Sequence, residues 1–501
     1  MSAQDPARSE TLVAARNAVT LGTSLALTGV LALIVRLLIP RFLGPSAFGE
    51  LRLAESFAEM LFVVITFGVD TQMRLEAAVD ASKARSYLCG LAALRLVLSA
   101  AGMAGAIVLL QAIGSSERVI VLFVLIGASQ TFLALNNTYA ALEHAAGDVK
   151  WLARTNFAAK AVWAIVLVAV LFQAASGVAI ATAALAVEAL RFGWFTMRGL
   201  RWHRLQLRPD LRLAAAAIVA SLPIFLNSVT HSFYARIGIG WLAASHGQFE
   251  VGLYGAASNV AAIALIGVPL VSWVLVPSAA RAAAHSDRAV TQMVSGALRI
   301  ALLAFVPLAI AMHLGAALYL EAFFGPAYLA AAPVLRIVGP MVGLTYVSTI
   351  CAIALIQRGR TWTVAGVSLA GVVSTVAFSA VLIPWGARTL GPAGGAQGAA
   401  WAALATEAFV TVLLAFLSRA SWFEARLVKT VAALAIGGVG AGLTLWVLPG
   451  GGLMPPVAAG LVFVAATLAA GGVDRNDLMF CRQIFSRPRR TAPPVLSLEV
   501  S

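Results

Sequence analysis

The stretch FGELRLAES, residues 48–56, decides how this chain is organised, because it has a counterpart in VGLYGAAS, residues 251–258. Gly49 aligns with Gly252, and the alanines that lie five residues after each glycine also align. Small residues at such positions let helix backbones approach closely inside a membrane, where no water drives helices together. The match predicts that the chain consists of two related halves.

A second pair of matching stretches, AALAVEAL (residues 183–190) and AALATEAF (residues 402–409), follows in the same order and at similar spacing. Each stretch places a glutamate, Glu188 or Glu407, in a run that is otherwise apolar. A carboxylate at membrane depth is costly, so we expect each one to face the helix bundle or a partner. Arg191 follows Glu188 by one turn and is such a partner. Two interpretations stay open: a structural role in each half, or a direct role in proton or cation coupling.

The composition is that of a membrane protein. The chain has 501 residues, of which 61% are hydrophobic and only 11% are charged, and its mean hydropathy is +0.91. A soluble protein of this length needs more charge to cover its surface, whereas apolar windows of about 20 residues are typical of membrane-spanning helices. These windows recur along nearly the whole chain, so the sequence predicts an all-α polytopic membrane protein.

Segmentation of the apolar windows gives about fourteen spans. Basic residues fall mostly in the loops on one side of these spans, and only Arg41, Arg118 and Arg388 fall on the other side. The positive-inside rule then places both termini in the cytoplasm, and this sorting requires an even number of spans. The predicted spans are 18–39, 49–72, 87–112, 118–141, 151–173, 176–198, 213–240, 250–276, 290–314, 329–356, 361–384, 393–418, 427–447 and 454–473.

The repeat and the spans together predict two six-helix lobes and two further C-terminal helices. Six spans return the chain to its starting side, so the two copies keep the same orientation and form a parallel repeat about a pseudo-twofold axis along the membrane normal. The predicted layout is a cytoplasmic N-terminal segment (1–17), an N-lobe (18–199), a basic cytoplasmic linker (200–212), a C-lobe (213–419), spans thirteen and fourteen (420–473) and a basic cytoplasmic tail (474–501).

Several classes of partner and cofactor are disfavoured. The net charge of +14 resides in short loops between apolar runs, so it is a topology signal and we expect no nucleic-acid partner. The three cysteines are scattered and the six histidines lack ligand spacing, so we expect no disulfide framework, no metal site and no cofactor.

Four stretches resemble the polysaccharide or oligosaccharide flippase family of the multidrug/oligosaccharidyl-lipid/polysaccharide exporter superfamily, whose members serve lipopolysaccharide and exopolysaccharide biosynthesis. The first stretch is similar to the hairpin between the first two spans of that family, and the second is similar to its counterpart in the C-terminal half. The third and fourth are similar to the approach to the tenth span and to the proline-glycine turn before the twelfth. The stretches are IVRLLIPRFLGPSAFGELRLAES (34–56), VGLYGAASNVA (251–261), FFGPAYLAAAPVLRIVGP (323–340) and LIPWGARTLGPAGGAQGAAWAALATEAF (382–409).

The resemblance implies two lobes that face each other across a central cavity in the bacterial inner membrane. The implied activity is transport, without catalysis, of an undecaprenyl-diphosphate-linked oligosaccharide or polysaccharide repeat unit from the cytoplasmic to the periplasmic leaflet by alternating access. The lipid tail would stay in the bilayer while the head group passes through the cavity. A glycan polymerase or export complex is the protein partner that this activity implies.

A diphosphate-glycan head group is anionic, so its cavity should carry fixed positive charge. Arginine suits this task because its planar guanidinium holds phosphate oxygens in bidentate fashion. The first candidates are Arg36, Arg52 and Arg236, and for each of them snorkelling to the interface is the competing interpretation. Because spans one and seven are equivalent in the repeat, Arg36 and Arg236 could face one another. The accessory candidates are His231, Asn227, Glu188, Glu407 and Lys160.

Two other functions compete with the flippase. A cation-coupled multidrug exporter of the same superfamily needs a carboxylate deep in a lobe, and the first span, residues 18–39, contains none. The membrane arginines also suit an anionic cargo better than a cationic drug. A membrane glycan polymerase or a polyprenyl-dependent glycosyltransferase usually has a large outward loop, whereas the outward loops predicted here are short. The sequence therefore favours the flippase.

Overall fold

A computed structural model describes residues 6–67, 81–145, 149–202, 211–268, 286–418, 425–448 and 454–473, together with Val69, Val271, Leu275, Val276 and Ala279. This part of the chain is helical and contains no strand. The predicted tail at 474–501, most of the linker at 200–212 and the start of the N-terminal segment lie outside it. The helices are α1 (Pro6–Thr66), α2 (Ala81–Ala112), α3 (Glu117–Ala145), α4 (Val149–Ala174), α5 (Gly177–Trp202), α6 (Leu211–Leu265), α7 (Asp287–Leu314), α8 (Ala316–Phe324), α9 (Ala332–Gln357), α10 (Thr361–Thr389), α11 (Gly394–Leu417), α12 (Ala425–Val447) and α13 (Met454–Ala469), with a 3-10 helix at Pro326–Ala331.

Two of these helices are sharply broken at glycines. α1 is interrupted at Gly44 (φ 74°, ψ 167°) and α6 at Gly247 (φ 80°, ψ 179°). This backbone conformation favours glycine, because a Cβ atom would be strained there. Each helix therefore consists of a first arm before the glycine and a second arm after it, and we call the end of the molecule that carries both breaks the turn end.

The all-α membrane class is confirmed. Within the described ranges, nine helices are long and apolar enough to cross a membrane by length and composition, and α13 is a shorter apolar helix. The kinked helices α1 and α6 supply two arms each. The total of fourteen spans and the lobe boundaries stay predictions.

The two halves repeat one packing pattern. In the N-terminal half α1 packs against α3 and α4, and α3 packs against α5; in the C-terminal half α6 packs against α9 and α10, and α9 packs against α11. These are equivalent pairs if the second half repeats the first in the same order. The packing agrees with the duplication that the sequence predicts.

The closest meeting of the halves lies between α1 and α6 at the turn end. A Cβ atom on Gly49 would lie 1.8 Å from the backbone oxygen of Gln248, and one on Gly252 would lie 1.9 Å from the backbone oxygen of Pro45. The contact is symmetric, since the matched glycines each approach the turn of the other half. Only residues without a side chain allow this approach, so the aligned glycines seal the two halves together.

The C-terminal pair α12 and α13 packs on itself and on α7. Arg299, one of the arginines inside α7, donates hydrogen bonds to Thr430 Oγ1 at 2.8 Å and to the carbonyl oxygen of Gly472 at 3.3 Å. Its side chain is buried. Arg299 therefore ties this pair to the C-terminal half.

Candidate substrate site between the two halves

Five charged residues gather where the two halves meet, and we call them the charged cluster: Arg36, Arg52, Glu55, Glu59 and Arg236. Arg36 lies on the first arm of α1, and the next three lie on its second arm at spacings of three and four residues, which place them on one helix face. Arg236 lies on the first arm of α6. The break at Gly44 folds the two arms of α1 together and so brings Arg36 to the others.

Arg236 is bound to Glu59 across the interface. Its Nε and Nη2 atoms lie 2.6 Å and 2.5 Å from Glu59 Oε2. Its Nη1 atom donates to Ser232 Oγ at 3.1 Å, one turn earlier in α6. Arg236 and Glu59 remain partly exposed, at 27% and 31% of their side-chain surfaces. This ion pair joins the halves and still leaves its charges accessible.

Arg52 has hydrogen-bonding capacity to spare. Its Nη1 atom lies 3.0 Å from Glu55 Oε2, while its Nε atom is buried without a hydrogen-bond partner in the described part of the chain. A Cβ atom on Gly255 would lie only 3.1 Å from Arg52 Cγ, so the missing side chain there makes room for the arginine stem. Buried polar groups in folded proteins nearly always have partners, and an exception points to a ligand or water.

Arg36 is held by an asparagine of the other half. Its Nε atom donates to Asn259 Oδ1 at 2.9 Å, and Asn259 Nδ2 lies 3.5 Å from the carbonyl oxygen of Arg36. The two terminal nitrogens of Arg36 have no hydrogen-bond partner within the described ranges. A guanidinium fixed through Nε presents its Nη1 and Nη2 edge to a ligand.

The cluster carries a formal charge of +1, from three guanidinium groups and two carboxylates. Arg52 is the strongest electrostatic neighbour of Arg36, and Glu55, Glu59 and Arg236 are within range as well. Two arginines that act on each other in this way are stabilised by an anion between them. The free nitrogen atoms of Arg36 and Arg52 could hold phosphate oxygens in bidentate fashion.

A cavity of about 460 Å³ extends beside the cluster between α1, α2 and α6. Three polar residues line it: Ser56, Arg236 and Ser245. Most of the remaining lining is apolar and includes Phe57, Met60, Leu109, Ile113 and Trp241. The cavity thus joins a charged end to an apolar space.

Glu407 lies in a second polar site, inside the C-terminal half. It accepts hydrogen bonds from Ser348 Oγ at 3.0 Å and from the Tyr234 hydroxyl at 3.4 Å, with a further side-chain hydrogen bond from Thr345. Glu407 is only 2% exposed, and within the described residues no basic side chain contacts it. A carboxylate surrounded only by hydroxyl groups can take up a proton or a cation.

The other predicted accessory residues do not join the charged cluster directly. Glu188 accepts from Asn136 Nδ2 at 2.9 Å and pairs with Arg191 at 3.3 Å, so it links helices of the N-terminal half. His231 packs its ring edge-on against Tyr234, with 4.9 Å between the ring centroids, and lies within electrostatic range of Arg236.

Lys160 is half-buried on α4, and no polar contact links it to the cluster within the described ranges. Asn227 belongs to α6, but its side chain lies outside the described residues.

Glu55 and Glu59 were missed as site residues, although the sequence carries a signal for them. They follow Arg52 by three and seven residues, which is the spacing of one helix face. The cluster is therefore mixed in charge rather than purely cationic.

No group of three or more histidine, cysteine, aspartate or glutamate side chains that could hold a metal ion occurs in the described part of the chain. Cys351 is buried in α9. The site thus rests on guanidinium, carboxylate, amide and hydroxyl groups.

Solved structures with this fold are membrane transporters. The structure of the lipid II flippase MurJ in an inward closed conformation matches with a TM-score of 0.71 at 12% identity, covering 92% of this chain and 100% of that one. The inward-facing structure of a multidrug resistance transporter of the MATE family, from the MOP superfamily, matches with a TM-score of 0.59 at 16% identity, covering 78% and 99%. The outward-facing structure of a MATE family multidrug resistance transporter of the MOP superfamily matches with a TM-score of 0.53 at 13% identity, covering 81% and 94%. At these identities the likeness shows the fold.

The family model described as polysaccharide biosynthesis protein matches residues 14–283, more than half of the chain. The chain therefore belongs to the polysaccharide biosynthesis protein family, and it has the fold of the MOP superfamily. The solved structures that share this fold are transporters, and nine helices in the described ranges are long and apolar enough to cross a membrane, so the chain is a multi-pass membrane protein. No curated protein matches the chain.

Proposed function

We propose that this transporter flips an undecaprenyl-diphosphate-linked oligosaccharide or polysaccharide repeat unit from the cytoplasmic to the periplasmic leaflet of the bacterial inner membrane. The observation that carries the proposal is the pair Arg36 and Arg52 where the two halves meet: the two guanidiniums act on each other electrostatically, and each keeps nitrogen atoms without a hydrogen-bond partner in the described ranges. The diphosphate binds there, and the apolar cavity beside Arg236 accommodates the adjoining lipid. Both termini lie in the cytoplasm, as the distribution of basic loop residues favours.

The two carboxylates of the cluster have a part in the cycle. A site with three uncompensated arginines would bind a diphosphate too firmly to release it. Glu55 and Glu59 hold Arg52 and Arg236 when no substrate is present, and the incoming diphosphate competes with them. Since Arg236 and Arg36 each bridge the two halves, this exchange of partners couples substrate binding to the movement of one half against the other.

The test uses the full chain reconstituted in vesicles with a fluorescent undecaprenyl-diphosphate-linked oligosaccharide. We expect Arg36→Gln, Arg52→Gln and Arg236→Gln each to lower the rate of flipping at least about tenfold, because a charge-assisted phosphate contact contributes about 1.5–3 kcal/mol. Arg236→Glu should abolish flipping. Lysine at these positions should restore it only in part, since it cannot form the bidentate contact.

The matched control is Arg336→Gln, which removes an exposed arginine of α9. This variant should flip the lipid at the normal rate. Normal flipping by all three cluster variants at normal protein levels would overturn the proposal.

A second candidate function, a cation-coupled multidrug exporter, is favoured by one observation. Glu407 is a carboxylate deep in a lobe without a basic contact partner in the described ranges, which is what ion coupling needs. In vesicles with an imposed proton gradient, an exporter would move a cationic dye, and Glu407→Gln would abolish that movement. Ser379→Ala, which changes another buried polar residue of the same half, serves as the control. Dye efflux that depends on Glu407, with no flipping of the lipid-linked glycan, would favour this function over the flippase.

A further inference from the structure

A groove between α4 and α5, away from the charged cluster, combines basic, aromatic and apolar residues. Its volume is about 470 Å³. Arg154, Thr155 and Arg191 line it together with Trp151 and Trp194. The rest of the lining consists of small or aliphatic residues, namely Ala158, Ala159, Val162, Val187 and Leu190. We propose that this groove binds an anionic phospholipid of the surrounding bilayer.

The charge of the groove fits a phosphate group. Arg154 is exposed and, within the described part of the chain, makes no ion pair. The side chain of Arg191 is buried, with 8% of its surface exposed. It is held by Glu188 at 3.3 Å and Asn156 at 2.5 Å, while its Nε atom is buried without a hydrogen-bond partner. The groove therefore offers one exposed guanidinium and one fixed guanidinium with an unused donor.

The aromatic residues place the head group at the membrane interface. Tryptophan is enriched at the level of lipid head groups, because its ring is apolar and its N–H is polar. Trp194 is 56% exposed at the groove, and Trp151 packs under the guanidinium of Arg198, whose Cζ atom lies 4.1 Å from the ring centroid. Arg154 lies one turn from Trp151 and can extend its side chain to the same level.

The groove continues from its polar end into an apolar part. From Trp151 to Val162 the α-helix rises about 16 Å, of which the apolar part from Ala158 to Val162 takes about 6 Å, so it covers the first part of an acyl chain in a leaflet that contributes about 15 Å of hydrocarbon. Ala158 and Ala159 leave a trough along α4, while Leu190 on α5, which is 72% exposed, forms its other wall. An acyl chain that fills the trough covers these surfaces.

The leaflet follows from the direction of the helices. α4 begins and α5 ends on the side where basic loop residues concentrate, so the groove opens toward the leaflet that the positive-inside rule makes cytoplasmic. That leaflet carries a negative surface potential. The occupant is therefore a phospholipid with a net negative phosphate head group, rather than a zwitterionic lipid.

The test measures lipid binding to the purified full chain in detergent by native mass spectrometry. The probes are phosphatidylglycerol, phosphatidylethanolamine with the same acyl chains, and free glycerol phosphate. We expect the wild-type protein to retain phosphatidylglycerol preferentially and to retain no glycerol phosphate. Arg154→Gln should weaken retention of phosphatidylglycerol about fivefold, since a basic residue near the surface contributes about 1 kcal/mol.

Two further variants separate charge from shape. Ala159→Leu fills the trough without a change of charge and should weaken phosphatidylglycerol binding as well. Lys150→Gln removes an exposed cation from the same helix outside the groove lining and should change binding less than twofold. Equal retention of the anionic and zwitterionic lipids, equal effects of Arg154→Gln and Lys150→Gln, or binding of glycerol phosphate alone would each overturn the proposal.

Discussion

At the scale of single residues, the outstanding feature is that each arginine of the cluster is held at one edge and free or exposed at another. Arg36 is fixed by Asn259, Arg52 by Glu55 and Arg236 by Glu59. Fixing a guanidinium in advance reduces the entropy that is lost when a ligand binds. Under the proposed function, a diphosphate would therefore meet donors that are already oriented.

Replacement of Glu59 by glutamine raises the formal charge of the cluster from +1 to +2. We expect the Glu59→Gln variant to bind inorganic pyrophosphate about fivefold more tightly, because no carboxylate then competes for Arg236. The gain is limited to this size because the pair is partly exposed and solvent screens its charges. Isothermal titration calorimetry on the purified protein measures this affinity. Flipping should become slower, since release of the head group is impeded.

The control is Glu117→Gln, which removes an exposed carboxylate at the start of α3. It should leave pyrophosphate affinity unchanged. Weaker binding by Glu59→Gln would contradict the competition between carboxylate and diphosphate, and would mean that Glu59 serves mainly to position Arg236.

At the scale of elements, the breaks in α1 and α6 determine where the charged residues lie, because each break folds two arms of one helix together. A helix that ends at Gly44 leaves the carbonyls of its last turn without intrahelical donors. The buried hydroxyl of Tyr328 donates to one of them, the carbonyl oxygen of Pro40, at 2.9 Å, and Arg41 Nη1 donates to the carbonyl oxygen of Ala322 at 3.0 Å. The 3-10 helix and α8 of the C-terminal half thereby hold the broken end of α1.

At the scale of the whole molecule, the two halves are closed against each other at the turn end. Alternating access requires the opposite arrangement at another stage of the cycle. Under the proposed function, the contact between Gly49, Gly252 and the two turns is the part that would separate. Since it is made of backbone against backbone, it has little tolerance for added atoms.

The change Gly252→Ala places a Cβ atom where the Pro45 oxygen now lies, 1.9 Å away. Overpacking costs about 1–3 kcal/mol, so we expect the turn end to open at least about fivefold more often. The measurement is the rate at which a cysteine at Ala54, which is fully buried on the second arm of α1, reacts with a membrane-impermeant maleimide. The native cysteines Cys89, Cys351 and Cys481 are replaced by serine in this background.

The matched control for this change is Gly105→Ala on α2, where a Cβ atom would meet nothing within 4 Å. It should not alter the labelling rate. Unchanged labelling in Gly252→Ala, with normal flipping, would contradict the role of the glycine contact as the seal of the turn end.

The sequence by itself determined the membrane class, and it predicted the repeat and the three arginines Arg36, Arg52 and Arg236 as site residues. Hydropathy and the spacing of matched stretches are local properties, so the sequence alone pairs Gly49 with Gly252. Only the tertiary structure decided three contacts: the close approach of these two glycines to the opposite turns, the ion pair of Arg236 with Glu59, and the hydrogen bond of Arg36 with Asn259. These contacts join residues that are distant in the chain, and which guanidinium meets which carboxylate depends on how the broken helices α1 and α6 pack. The tertiary structure also decided the hydrogen bonds to Glu407, because their donors Tyr234 and Ser348 lie on two other helices.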